Sequence, residues 1–273
     1  MKLTNYLNLP QPIAAAVAND DYSRGAADFS VTQLLAPPRK VALEAQHEQE
    51  ITEDVSDRIF SLLGQSIHTI LERAGDGRRE ERLTADFGGV TVSGQFDYFD
   101  SDDAIWDWKV ASVYEITHGV QKEKEQQVNC YRLLAVRNGY EVSGLRLGFI
   151  LRDWSRTQTV KANYPPHQVV VYPVTMWSLE ETERFIAERI RLHLEARSVL
   201  PLCTDEERWA GPPRWALMKR GNKRASKVFD TKWEAEEAVK IGYYVEERPG
   251  TNTRCEFYCA AAPFCDQWKA LNV

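Results

Sequence analysis

The spacing of hydrophobic positions changes several times along the chain, and each change marks an element. Between Val55 and Arg73, the residues Val55, Ile59, Leu62, Leu63, Ile67, Ile70 and Leu71 recur at three- and four-residue intervals. That spacing predicts an amphipathic helix, with Gly75 and Gly77 as its stop. The period then falls to two. Val90, Val92, Gly94, Phe96 and Tyr98 share one face of a strand within 83–99, and Ala104 to Val110 form a second strand after the turn Ser101-Asp102-Asp103. The two are expected to pair as a hairpin. A helical pattern returns from Thr117 to Asn138 and stops at Gly139, and two β-rich runs follow, Leu145 to Leu151 and Gln168 to Val174. Strand, helix and strand in that order predict a crossover connection and a mixed sheet with helices packed on it. Ser178, with Glu181 three residues later, starts a further helix that runs to about Ser198, ahead of Pro201.

Both ends depart from this pattern. Residues 1–27 hold Pro-flanked and Ala-rich stretches without a steady period and read as an N-terminal arm, leaving 28–200 as the core. Residues 201–273 read as a C-terminal segment packed on that core. It holds Trp209, Trp215 and Trp233, a hairpin turning at Gly221-Asn222, a short helix after Thr231 and a group of cysteines. The expected fold class is α/β, a central mixed sheet flanked by helices, with the cysteine segment appended.

Composition adds mainly exclusions. With 273 residues, 43% hydrophobic and 27% charged, the chain can bury a full core and is not a disordered or coiled-coil sequence. No apolar run reaches the ~18 residues of a membrane span, and the first twelve residues lack a signal-like stretch, so no membrane association and a cytoplasmic location are expected. The net charge of -6 means that any nucleic-acid contact must come from local patches or from metal. Five cysteines in such a chain do not suggest a disulfide framework. Cys130 stands alone and reads as a packing residue, whereas Cys203 is followed by Cys255, Cys259 and Cys265 in a C-x3-C-x5-C group.

The hairpin carries the chemistry. If Asp100 pairs with Ala104 around the three-residue turn, Asp97 lies opposite Asp107, and Lys109, two residues on, shares their face. Opposed carboxylates repel unless a cation lies between them or one is protonated, and a divalent metal is the economical solution. On the preceding helix Gly64, His68 and Glu72 form one stripe, from which His68 can reach the same metal. An imidazole and two carboxylates, His68, Asp97 and Asp107, suit Mn²⁺ or Mg²⁺ with open positions for a phosphate. Lys109 beside the metal-bound water gives an arrangement for phosphodiester hydrolysis.

In order along the chain, these residues resemble the RecB-like exonuclease family of PD-(D/E)xK nucleases, nearest to its CRISPR-associated and bacteriophage-encoded exonucleases. Gly64-Gln65-Ser66-Ile67-His68 matches the helical histidine motif, Gly94-Gln95-Phe96-Asp97 the G-x-x-D motif, and Asp107-Trp108-Lys109 the D/E-x-K motif. Gln127-Val128-Asn129-Cys130-Tyr131 matches Q-x-x-x-Y, and Ser30-Val31-Thr32-Gln33-Leu34 resembles the lead-in of such domains. The resemblance implies a restriction-endonuclease-like core and a DNA exonuclease acting on single-stranded ends in phage or bacterial replication, recombination or processing. Asp97, Asp107 and Lys109 would be catalytic, His68, Asp97 and Asp107 would bind metal together with the carbonyl after Trp108, and Gln127 and Tyr131 would contact DNA. It also implies a [4Fe-4S] cluster on Cys203, Cys255, Cys259 and Cys265, a thiolate set that tetrahedral zinc satisfies equally. The acid-free basic run Lys219, Arg220, Lys223, Arg224 and Lys227 suits a phosphate backbone, and nearby tryptophans suit unpaired bases. Two alternatives stay open: a structure-specific endonuclease or CRISPR-adaptation trimming nuclease of the same fold, and a non-catalytic DNA-binding or assembly protein. A homo-oligomer and a replication or recombination partner protein are both compatible with the resemblance.

Overall fold

A computed structural model of the chain describes residues 2–19, 25–74, 78–79 and 81–271. The helix stop expected at Gly75 and Gly77 lies outside these residues. The central strand, Ala104–Ala111, pairs in parallel with Gly144–Leu151 and antiparallel with Tyr98–Phe99. Val169–Val174 extends the sheet antiparallel beyond Gly144–Leu151, and Arg78–Arg79 closes the other edge. The parallel pair is joined by the crossover helix Lys122–Arg137, as the strand-helix-strand order predicts. A second sheet orders Phe29–Ser30, Thr91–Gln95 and Arg82–Asp86.

The core joins these sheets to the crossover helix and to the helix Leu179–Ala196. Val92, Phe96, Ile105, Val128, Leu134, Leu147, Phe149, Leu151 and Ile186 are among its fully buried members. Cys130 lies in the same cluster, and burial pushes its thiol up to about 12, as suits a packing residue. The architecture is therefore the expected mixed α/β one, with helices on the sheets. Ser30 caps the helix Val31–Leu35: its Oγ accepts the Gln33 N–H at 3.2 Å, and Gln33 Oε1 accepts the Ser30 N–H at 3.0 Å. This capping box is the physical content of the Ser30-x-Thr32 lead-in.

Several elements differ from the sequence expectation. The run 83–99 is not one strand: Arg82–Asp86 and Thr91–Gln95 make a hairpin of their own around Gly88 and Gly89, both at positive φ, before the chain changes sheet. Gly-Gly is one of the residue pairs favoured in a two-residue hairpin loop, and the period-two pattern beyond it obscured the turn. The helical run 117–138 divides into Val113–His118 and Lys122–Arg137 at the 119–121 connection. The arm contains a strand, Lys2–Thr4, paired in parallel with Thr52–Asp54, and a helix, Gln11–Ala18. In the tail, Tyr243–Arg248 joins the basic hairpin as a third strand, placing Arg214–Lys219 in the middle.

The amphipathic helix Ile59–Ala74 has no buried residue, and Phe60 and Ile70 are exposed. It packs against the central strand from outside the core. That position puts His68 over the site.

Candidate active site

The pairs Tyr98↔Trp106 and Phe99↔Ile105, with the Asp100 N–H on the Ala104 carbonyl at 3.0 Å, carry Asp97 to the place opposite Asp107. The turn between them is held by the Asp100 carboxylate, which accepts from the Trp106 indole at 2.6 Å and pairs with Arg146 at 2.7 Å. Asp97 sits where the chain passes from one sheet to the other. Its Oδ2 accepts the Trp108 N–H at 2.6 Å, and its Oδ1 lies 3.2 Å from Nδ1 of His68. His68 Nε2 is 3.0 Å from the Trp108 carbonyl. A carboxylate and a carbonyl can only accept, so each ring nitrogen of His68 faces an acceptor. Burial alone would lower its pKa, but the Asp97 hydrogen bond and charge, with Asp107 behind them, outweigh it and raise the pKa above the ordinary histidine value.

Asp107 is 2% exposed, and its Oδ2 lies 2.6 Å from Lys109 Nζ. Burial pushes the Asp107 carboxyl up to about 6, with Lys109 pulling it down and Asp97 adding to the rise. Burial would lower the Lys109 pKa, yet the Asp107 and Asp97 carboxylates outweigh it, so the ammonium is held charged. Lys109 Nζ also donates to Gln127 Oε1 at 3.0 Å, and Gln127 Nε2 donates to the Tyr131 hydroxyl at 2.6 Å. Gln127 and Tyr131 are one turn apart on the crossover helix and so share a face. Gly94 sets how near that face comes. A Cβ there would meet Leu134 Cδ1 at 2.7 Å and Tyr131 Cδ1 at 2.9 Å.

The structure thus brings His68, Asp97, Asp107, Lys109, Gln127 and Tyr131 together. It resolves their charges as two pairs, His68–Asp97 and Asp107–Lys109. Among the described residues no three His, Cys, Asp or Glu side chains converge as a ready metal site. The donor set still fits a hard divalent cation: two opposed carboxylates, one buried with its pKa raised, beside an imidazole and a main-chain carbonyl.

The four C-terminal cysteines lie in one neighbourhood without forming such a convergent set. Gln267 clasps Cys203 through N–H···Oε1 and Nε2–H···O contacts of 2.8 and 2.9 Å. Cys265 is buried with Ala261 and Leu43, and its Sγ accepts from Arg39 Nε at 3.2 Å. Burial raises the Cys203 thiol to about 12, with Glu207, Cys265 and Cys255 adding to it. Cys255 and Cys259 are raised as well, again first by burial.

Lys219, Arg220, Lys223 and Arg224 are exposed on the tail sheet, and none lines the cavity beside Lys109. That cavity, of about 380 Å³, is lined by Lys109 and Gln127 together with Trp209, Arg254 and Tyr258. Arg254 and Tyr258 escaped the sequence reading. Their only signal there is position, each immediately before a cysteine of the C-terminal group. A larger cavity, of about 1890 Å³, is lined by Asp28, Glu44, Glu48, Glu53, Asp57 and Glu256 against Lys40, Arg58, Arg197 and Lys269. It is lined by none of His68, Asp97, Asp107, Lys109, Gln127 and Tyr131, shares Thr32, Ala36, Lys40 and Tyr258 with the smaller cavity, and has an acidic excess, which a phosphate backbone would avoid. Among the described residues no helix is long and apolar enough to cross a membrane.

A family model described as the PD-(D/E)XK nuclease superfamily matches residues 16–266. Among curated proteins none matches the sequence. Among solved structures the chain is similar to SSO0001, at 16% identity and a TM-score of 0.49, with 68% of this chain and 88% of that chain covered. It is also similar to a phage-related exonuclease from Haemophilus somnus, at 12% identity and a TM-score of 0.31, with 60% and 74% covered.

Proposed function

The chain belongs to the PD-(D/E)XK nuclease superfamily, and on that footing we propose that it is a divalent-metal-dependent DNA exonuclease acting on single-stranded ends. One observation carries the reading: Asp97, Asp107 and Lys109 converge at one point, with His68 and Gln127 hydrogen-bonded to members of that group. His68, Asp97 and Asp107 would hold Mn²⁺ or Mg²⁺, with the Trp108 carbonyl beside them. A bound ion of this kind supplies a water of lowered pKa and polarises the phosphoryl oxygen.

The chain's own residues do the rest. Lys109 is kept protonated by its two carboxylate neighbours, so its ammonium orients the attacking water and offsets the charge that develops on the phosphate. Gln127 fixes the ammonium through a 3.0 Å hydrogen bond and is itself fixed by Tyr131. A side chain held at both ends loses little freedom when the substrate arrives. Cys203, Cys255, Cys259 and Cys265 are proposed to hold a [4Fe-4S] cluster, with zinc as the alternative. Thiols that raise one another's pKa are the groups a cation would relieve.

The test uses anaerobically purified protein and end-labelled linear and circular DNA, single- and double-stranded, with Mn²⁺, Mg²⁺ or EDTA. Metal-dependent loss of nucleotides from linear single strands, abolished in Asp107→Asn and Lys109→Met, is the expected result. Cleavage of circles would instead show an endonuclease. A folded protein that binds DNA and never cuts it, or a Lys109→Met variant that cuts at the wild-type rate, would overturn the proposal. Iron, sulfide and zinc analysis of the same sample, with Cys259→Ser as the comparison, decides the cysteine centre.

A further inference from the structure

The cavity beside Lys109 has a wall that no part of the proposed reaction uses. Three side chains build it. Trp209 caps the helix Asp205–Arg208 in the left-handed conformation, at φ 52°, an unusual position for a bulky residue. Tyr258 stands edge-on to it, with ring centroids 5.4 Å apart at 63°, and is 64% exposed. Arg254 lies over the Trp209 ring at 4.2 Å and pairs with Glu123 through Nη2 at 2.8 Å. The two segments are laced together by the Ala210↔Asn252 bridge and the Gly211 N–H on the Thr251 carbonyl at 2.9 Å. The strained Trp209 backbone is therefore held by its surroundings, as such conformations are at ligand-binding sites.

Arg254 supplies the observation that points to a ligand. Its side chain is 10% exposed, yet Nη1 is buried and has no hydrogen-bond partner among the described residues. Its other arm neutralises Glu123, the acid of that wall. An unused N–H on a buried guanidinium, in a cavity that also holds Lys109 and Lys124, is a donor for a phosphate oxygen. Beside it, an exposed tyrosine ring backed by an indole offers a face for a base. Paired bases present no free face to a side chain, so such a platform selects an unpaired strand.

We propose that Trp209, Arg254 and Tyr258 form a nucleotide subsite next to the catalytic group, in which Arg254 binds a backbone phosphate and Tyr258, backed by Trp209, stacks on an unpaired base. The inference rests on the nuclease reading above and deepens it by assigning the single-strand preference to particular residues. The cavity's volume of about 380 Å³ falls within the range for ligand pockets.

The experiment measures binding with the full chain carrying Asp107→Asn and with neither added metal nor chelator, so that hydrolysis is blocked and the cysteine centre beside Arg254 and Tyr258 is left intact. A fluorescent single strand and a duplex of the same sequence are compared by anisotropy, and cleavage by wild type and Lys109→Met is followed separately with metal. Tyr258→Ala, at an exposed position that should not affect folding, is expected to weaken single-strand binding about 5- to 100-fold and to leave duplex binding unchanged. Tyr258→Phe is expected to restore it. Arg254→Gln, checked for folding by circular dichroism, is expected to flatten the salt dependence of single-strand affinity by about 0.7 in the log-log slope. Single-strand affinity unchanged in Tyr258→Ala, or an equal loss for both DNAs, overturns the subsite. Lack of any metal-dependent cleavage by wild type, with the Tyr258 pattern intact, would remove the nuclease reading and leave the single-strand subsite standing.

Discussion

Adding one methyl group at Gly94 tests whether the histidine, aspartate and lysine cluster depends on how closely the crossover helix approaches the sheet. In Gly94→Ala the new Cβ would lie 2.7 Å from Leu134 Cδ1 and 2.9 Å from Tyr131 Cδ1. Ordinary carbon contacts are about 3.5–4.0 Å, so one or both neighbours must retreat by about 1 Å. Neither can move outward freely: Leu134 is 0% and Tyr131 5% exposed. Overpacking of this kind costs about 1–3 kcal/mol, and two blocked neighbours place it near the top of that range. A melting temperature lower by about 4–10 °C is expected for a chain of this size. Tyr131 holds Gln127 and Gln127 holds Lys109, so the displacement passes to the ammonium. A shift of about 1 Å at a reacting group can cost about 100-fold in rate. The assays are thermal unfolding and DNA hydrolysis, the latter well below the variant's melting temperature. Leu134→Val removes reach from the obstructing side chain, so the double variant should lose less stability than the sum of the two singles. Wild-type melting and rate in Gly94→Ala, or strict additivity in the double variant, would refute the reasoning.

Two further expectations concern the fold around the site. His193 is buried, its Nε2 3.1 Å from the Leu34 carbonyl, and burial lowers its pKa to about 4, with Arg189 and Arg197 adding to the effect. A histidine whose pKa is lower in the folded state than in the unfolded chain contributes stability that is present above about pH 6.5 and is lost as pH falls towards 4, on the order of 2 kcal/mol. Melting curves of wild type and His193→Gln across that window should diverge, and superimposable profiles would contradict the assignment. Arg39 is 3% exposed and ties the core to the tail, donating to the Pro201 carbonyl at 3.1 Å and to Cys265 Sγ, and pairing with Asp266. In Arg39→Met these acceptors lose a charged donor, at about 2–3 kcal/mol, and the segment beyond Leu200 should be cut faster in limited proteolysis; unchanged cleavage there would show that the tail is held by other contacts.

Much of the cluster was legible in the sequence because it rests on local rules. The position of Asp97 opposite Asp107 follows from one hairpin turn, and the pairing of Gln127 with Tyr131 follows from one turn of helix. The Gly88-Gly89 turn was equally legible in principle, but alternation on both sides of it favoured a longer strand. Other elements depended on distant partners. Tyr243–Arg248 is a polar run, YYVEER, that becomes a strand by pairing with Arg214–Lys219, and Lys2–Thr4 becomes one by pairing with residues fifty positions away.

The sequence alone determined the alternation of strands and helices, the α/β class, and which carboxylates and lysine share a face, because periodicity and turn length act over a few residues. The tertiary structure decided which charge each group pairs with. His68 takes Asp97 and the Trp108 carbonyl, while Asp107, buried where water cannot screen it, takes Lys109. It also decided that Trp209, Arg254 and Tyr258 face the same cavity as Lys109. No periodicity along the chain encodes that meeting, because it comes from the packing of a C-terminal segment against a helix more than eighty residues earlier.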